Sequence, residues 1–214
     1  MLCLTLTLAK TVPDSQGPEI VGQLVESLTW RPDGDGGAGP NFKATGRRQV
    51  QGHLASADET VGFILSAARS GTWGVHLVII PESTDEFADI DEADALHEIL
   101  CQAVKAAPQA LRAPGGVQVV AAQGKKLVDS KTAPEIGPIE STLQLLCSIE
   151  RRRSDEGQEA GLMINAGNSQ TQAAKNLGVS QQAVSARLQA GYWYESRKVA
   201  YWLAVQLDQL LLGE

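Results

Sequence analysis

The stretch Gln170-Thr171-Gln172-Ala173-Ala174-Lys175-Asn176-Leu177-Gly178-Val179-Ser180-Gln181-Gln182-Ala183-Val184-Ser185-Ala186-Arg187-Leu188 decides how the chain is read. Its spacing predicts a helix-turn-helix, two short helices joined by a tight turn. Ala173 and Ala174 are small and let a second helix cross close to the first. Gly178 follows the last periodic residue, where a left-handed backbone suits a residue without Cβ. Leu177, Val179, Val184 and Leu188 are spaced to fill the angle between the helices. Ser180 can cap the second helix, Ser169 with Gln172 fits a capping box for the first, and Gly167 ends the helix before it.

With Val184 and Leu188 inward, helical periodicity sends Gln181, Gln182, Ser185, Ala186 and Gln189 outward, beside Ser180 at the helix start. Short and amide side chains suit a major groove. Gln pairs with adenine, Ser bonds several base edges, and Ala meets a thymine methyl. Thr171, Lys175, Arg187 and Arg197 are the candidate phosphate contacts. The expected partner is therefore double-stranded DNA. A plain helical hairpin inside a core uses the same apolar spacing, and a protein-docking scaffold would use the same outward face.

The chain has 214 residues, a net charge of −7 and 43% hydrophobic residues. That length allows one large or two small domains with a real core. The negative balance excludes a general polyanion binder. Between residues 165 and 200 the cations Lys175, Arg187, Arg197 and Lys198 face the single acid Glu195. One copy would bind weakly at physiological salt, and a dimer doubles the contacts. Cys3, Cys101 and Cys147 are far apart, as are His53, His76 and His97. No metal site or cofactor is expected, and free thiols in a reducing cytoplasm are. The start, Met1 to Leu8, alternates with period two and lacks a basic n-region, which predicts a strand rather than a signal peptide. No apolar run is long enough for a bilayer, so no membrane partner is expected.

Up to residue 130 strands and helices alternate. Leu2, Leu4, Leu6 and Leu8 line one face of strand one, and Cys3, Thr5 and Thr7 the other. Ile20, Val21, Leu24, Val25 and Leu28 give the next helix its core face. Asp33 to Pro40 predicts a surface loop without the P-loop Lys-Ser/Thr or EF-hand spacing. A hairpin over Asn41 to Ala55, a helix from Ala57 to Ser70 and a buried strand from Trp73 to Ile80 follow. The acidic stretch Glu82 to Asp94 reads as a solvated loop entering a helix that ends near Ala106. Gly116 to Ala122 is the last strand. The order β-α-β-β-α-β-α-β predicts a mixed sheet with helices on one face. No catalytic constellation emerges, so no enzyme is expected.

From residue 136 to 214 the pattern is helical, giving a second, helix-turn-helix domain after an α+β sensor or assembly domain over 1–130. A helix from Pro138 to Arg152 carries Ile139, Leu143, Leu146, Cys147 and Ile149 inward, and ends in Arg151-Arg152-Arg153, candidates for phosphate. Leu162, Met163 and Ile164 are expected to face the helix-turn-helix. In the last helix Trp193, Ala200, Leu203, Leu207 and Leu210 form an apolar stripe that Tyr201, Trp202, Val205 and Leu211 broaden beyond one face. Packing on its own N-terminal domain is one use for it, and the expected one is a twofold homodimer whose two reading helices address a palindrome.

Leu143 to Glu150, the Gly167-Asn168-Ser169-Gln170 entry, the Gly178-to-Leu188 core and Tyr192-Trp193-Tyr194 resemble the SatD family of bacterial proteins over roughly residues 139–205. The resemblance implies a ferredoxin or nucleotidyl-cyclase-like sheet in the N-terminal half. In that pattern, acidic residues at the end of strand one and in the hairpin would hold metal. This chain reads Leu6-Thr7-Leu8-Ala9-Lys10 and Gly46-Arg47-Arg48-Gln49-Val50-Gln51-Gly52 there. Cations cannot ligate Mg²⁺, which argues against cyclase chemistry. Arg47 and Arg48 remain candidates for nucleotide or DNA phosphate, which keeps a nucleotide receptor as an alternative. Together these readings give a cytoplasmic DNA-binding transcriptional regulator with a non-catalytic N-terminal domain.

Overall fold

The computed structural model describes residues 1–29, 41–81, 92–106, 115–123, 126–129 and 131–212. The expected Asp33–Pro40 loop and most of the acidic Glu82–Asp94 stretch lie outside these residues. The described chain is α+β. Its strands are β1 (Leu2–Leu8), β2 (Asn41–Gly46), β3 (Gln49–His53), β4 (Trp73–Ile79), β5 (Val117–Gln123) and β6 (Lys126–Val128). They form one sheet in the order β2-β3-β1-β4-β5-β6. β4 and β5 are parallel and every other neighbouring pair is antiparallel, so the sheet is mixed as expected.

The register explains the two faces. Leu4 lies opposite Gly52 and Leu77, and Leu6 opposite Val50 and Val75. Period-two alternation therefore gathers Leu2, Leu4, Leu6 and Leu8 with Val50, Val75, Leu77 and Val119 on one apolar face. Thr5 lies opposite Gln51 and His76, and His76 opposite Gln118, which makes a polar row across the other face.

Helices α1 (Gly17–Thr29), α2 (Ala57–Ser70), α4 (Ile136–Arg152) and α8 (Trp193–Leu212) all feed the core on the leucine face. Helix α3 (Glu92–Ala106) packs on the opposite face, through Ile99, Leu100 and Ala103 against Cys3, Val78 and Val120. This corrects the expectation of helices on one face. A strand buried on both faces reads almost wholly apolar, and β4 does so but for His76, yet the polar row that His76 shares with Thr5, Gln51 and Gln118 concealed the second layer. The short β6 was not expected; three residues carry too little alternation to be read.

The expected division between 1–130 and 136–214 does not separate two cores. Ile136, Ile139, Leu143 and Leu146 of α4, with Leu203 and Leu207 of α8, belong to the same cluster as β1 and α2. The unit with its own core is smaller. It is built from α5 (Asp155–Asn165), α6 (Gln170–Leu177) and α7 (Gln181–Ala190), closed by Trp193.

Candidate nucleic-acid interface

Each helix of this unit starts on a side-chain cap. Ser154 Oγ accepts from Gly157 N at 3.1 Å, and Ser180 Oγ accepts from Ala183 N at 3.1 Å. At α6 the capping box is reciprocal: Ser169 Oγ accepts from Gln172 N at 3.2 Å, and Gln172 Oε1 accepts from Ser169 N at 2.8 Å. These bonds occupy donors that a helix start otherwise leaves to water. Gly178 ends α6 in the left-handed region at φ 66°, and Gly167 ends α5 at φ 84°. Ala160, Ala173, Ala174, Val184, Leu188 and Trp193 form the core, with Met163, Ile164, Leu177 and Val179 packed on it. Leu162 departs from expectation and is 54% exposed.

The outward side of α7 is as the periodicity predicts. Ser180, Gln181, Gln182, Ala186 and Gln189 are exposed, with Thr171 and Lys175 exposed beside them on α6. Ser185 and Arg187 are half-buried. Arg187 lies close enough to Glu156 to help hold that carboxyl below its usual range, behind the hydrogen bonds made at the α5 start. Lys175 is therefore the less encumbered cation of the face.

Two of the expected phosphate contacts are committed elsewhere. Arg153 is 5% exposed, its Nη1 2.6 Å from Glu150 Oε2 and its Nη2 2.9 Å from Ser196 Oγ. Its Nε donates to Gly191 O at 3.0 Å. Arg197 Nη2 lies 2.6 Å from Glu150 Oε1. Burial pulls the Arg197 guanidinium down from its usual range, and the Glu150 carboxylate pushes it back up. Both guanidinium groups stack on the Trp193 ring, 4.7 and 4.6 Å from its centre. One buried carboxylate thus pairs with two arginines over one indole, which joins α4 to the three-helix unit. A charge run adjoining a helix end usually faces solvent, and that pattern hid the pairing; Arg151 and Arg152 do remain exposed.

The expected dimer stripe is also used within the chain. Trp193, Leu203 and Leu207 are at most 1% exposed, and Ala200 and Leu210 pack against the main core. A stripe this apolar needs a large partner surface, and α2 with α4 supplies it. At the hairpin Arg47 is exposed. Arg48 donates to Val12 O at 3.0 Å and Ala9 O at 2.8 Å and pairs with Asp14, so it clamps the exit from β1 instead of awaiting a phosphate.

Three features escaped the sequence reading. Arg69, at the end of α2, donates to Glu150 O and Arg153 O at 3.0 Å each and reaches Asp155 Oδ1 at 2.7 Å. It covers carbonyls at the end of α4 and ties them to the start of α5. His97 and Cys101, four residues apart on α3, meet with Nε2 3.6 Å from Sγ, and His97 Nδ1 lies 2.7 Å from Gln51 Oε1. The i, i+4 spacing was the available signal for that pair. A cleft of about 500 Å³ opens beside Leu54, Ser56, Ile80, Leu96, Asp208 and Leu211. Among the described residues no group of three or more His, Cys, Asp or Glu side chains is placed to hold a metal ion, and no helix is long and apolar enough to cross a membrane. No family model, curated protein or solved structure matches the chain.

Proposed function

We propose that α5–α7 is a helix-turn-helix that binds double-stranded DNA, with α7 as the reading helix, in a cytoplasmic transcriptional regulator. The observation that carries this reading is the side of α7 bearing Gln181, Gln182, Ala186 and Gln189. It is exposed, while Val184 and Leu188 hold the opposite side in the core. Amide and methyl groups presented on a rigid, capped helix fit base edges of a major groove. Exposed Lys175 and Thr171 flank the face where phosphates would run. We read the N-terminal sheet as ferredoxin-like, since β2-β3-β1-β4 with β1 antiparallel to both neighbours fits a β-α-β-β-α-β unit. The SatD relationship remains a proposal on the residues quoted above.

Selection of genomic fragments by the purified chain, followed by footprinting, tests the reading. It expects protected sites that share a sequence. Fragments retained without any common sequence, or none retained at low salt, would reject it.

A second reading is a small-ligand receptor. It is favoured by the roughly 500 Å³ cleft, whose size and mainly apolar lining suit an organic ligand. Calorimetry with a panel of nucleotides tests the nucleotide version, and titrations without heat would discard it.

A further inference from the structure

Helix α8 has two opposite faces, and among the described residues the core of its own chain covers one of them. Tyr194, Lys198, Tyr201, Val205, Asp208 and Leu212 recur at spacings of four and three, and each is exposed. Tyr201 is 68% exposed and Leu212 61%. Alternating steps of four and three place side chains along one seam, the pattern by which two helices interlock. The buried Leu203 and Leu207 occupy the other side of the same helix, turned toward α2 and α4.

We propose that this seam pairs with the same seam of a second copy, in antiparallel register about residue 203. The register follows from charge. A parallel pair would set Lys198 against Lys198 and Asp208 against Asp208. Antiparallel pairing about residue 203 sets Lys198 against Asp208 of the second copy, twice by symmetry. It also sets Tyr194 against Leu212 and Tyr201 against Val205. Like charges facing each other oppose association and opposite charges specify orientation, so the sequence of the seam selects one arrangement. Trp202, 45% exposed, then flanks the seam beside the twofold axis, where its ring shields the pair from water. The seam starts next to the DNA unit, since Gln170 Nε2 on α6 donates to the Tyr194 hydroxyl at 3.3 Å. The functional sense of this pairing, two reading helices on one twofold axis, rests on the DNA reading above. The pairing itself rests on α8 alone.

The test is sedimentation equilibrium of the full chain and three variants, with circular dichroism to verify folding. All the substituted positions are exposed. The unaltered chain is expected to be dimeric within about 1–100 µM. Lys198→Asp and Asp208→Lys should each weaken association by about tenfold or more. The double variant should recover most of that loss, because the exchanged charges meet again only in the antiparallel register. A chain monomeric across that range overturns the proposal, as do single variants that dimerise normally or a double variant without recovery. Mobility shifts on the same samples separate the two claims. A dimer with the expected charge response that binds no DNA leaves the seam standing and removes the DNA reading. A monomer that binds DNA does the reverse.

Discussion

The Trp193 ring occupies the space that a side chain at residue 161 would need: a Cβ built on Gly161 would run into the indole carbons. Glycine inside a helix ordinarily costs about 1 kcal/mol against alanine, so a mid-helix glycine has to gain something by packing. Here it lets α5 lie directly on the indole. Gly161→Ala should therefore destabilise by about 1–3 kcal/mol, the usual range for overpacking, where an open helical site would be stabilised. Urea denaturation followed by tryptophan fluorescence decides the sign.

Glu150 is 2% exposed and stands between two guanidinium groups. Glu150→Gln keeps the volume and leaves two arginines without their carboxylate, one of them fully enclosed. Breaking a buried pair by neutralising one partner costs about 3–5 kcal/mol, and this substitution should fall in that range. A loss under about 1 kcal/mol, the size of an exposed pair, would show that water reaches the cluster. Chemical denaturation at neutral pH measures it.

The thiols should separate cleanly. Burial pushes Cys3 and Cys147 up to about 12 from 9.0, while Cys101 is partly exposed beside His97. Thiolate is the reacting form, so iodoacetamide on the native chain should label Cys101 first and leave the other two until unfolding. Peptide mass spectrometry reads this directly. The same shifts set a pH dependence. A thiol that ionises less readily in the folded state contributes its full stability below pH 9, and the contribution falls as pH rises from 9 towards 12. Melting temperature should decline over that window, and less steeply in Cys147→Ala when each chain is compared with its own value at pH 8.

Much of the architecture was legible because it rests on local periodicity. The 2-residue alternation of β1, the apolar run of β4 and the caps around Gly178 each carry their signal within a few neighbouring residues. The exposed face of α7 was legible the same way, as the complement of Val184 and Leu188. What was missed depends on long-range partners. Arg153, Arg197 and Arg48 look alike in sequence to any surface cation, and only the fold brings Glu150, Trp193 or the β1 carbonyls to them. The apolar excess of α8 was correctly seen, but two stripes cannot be assigned to inside and outside without knowing that α2 and α4 cover one of them. Tyr192, at φ 48°, takes the left-handed position in the turn before α8, while neighbouring Gly191 is needed for the close approach of Arg153. Sequence alone would have exchanged those two roles.

The central claim is that the exposed side of α7 reads DNA. The most direct measurement is a salt-titrated mobility shift on a footprinted site and on scrambled DNA, comparing the unaltered chain with Gln182→Ala and Lys175→Ala. Gln182→Ala should narrow the preference for the site by about 1–3 kcal/mol, as expected for loss of one base contact, with little change on scrambled DNA. Lys175→Ala should weaken both complexes alike and reduce the salt slope by about one. Unchanged affinity and slope in both variants, with the unaltered chain bound, would contradict the assignment of α7 as the reading helix.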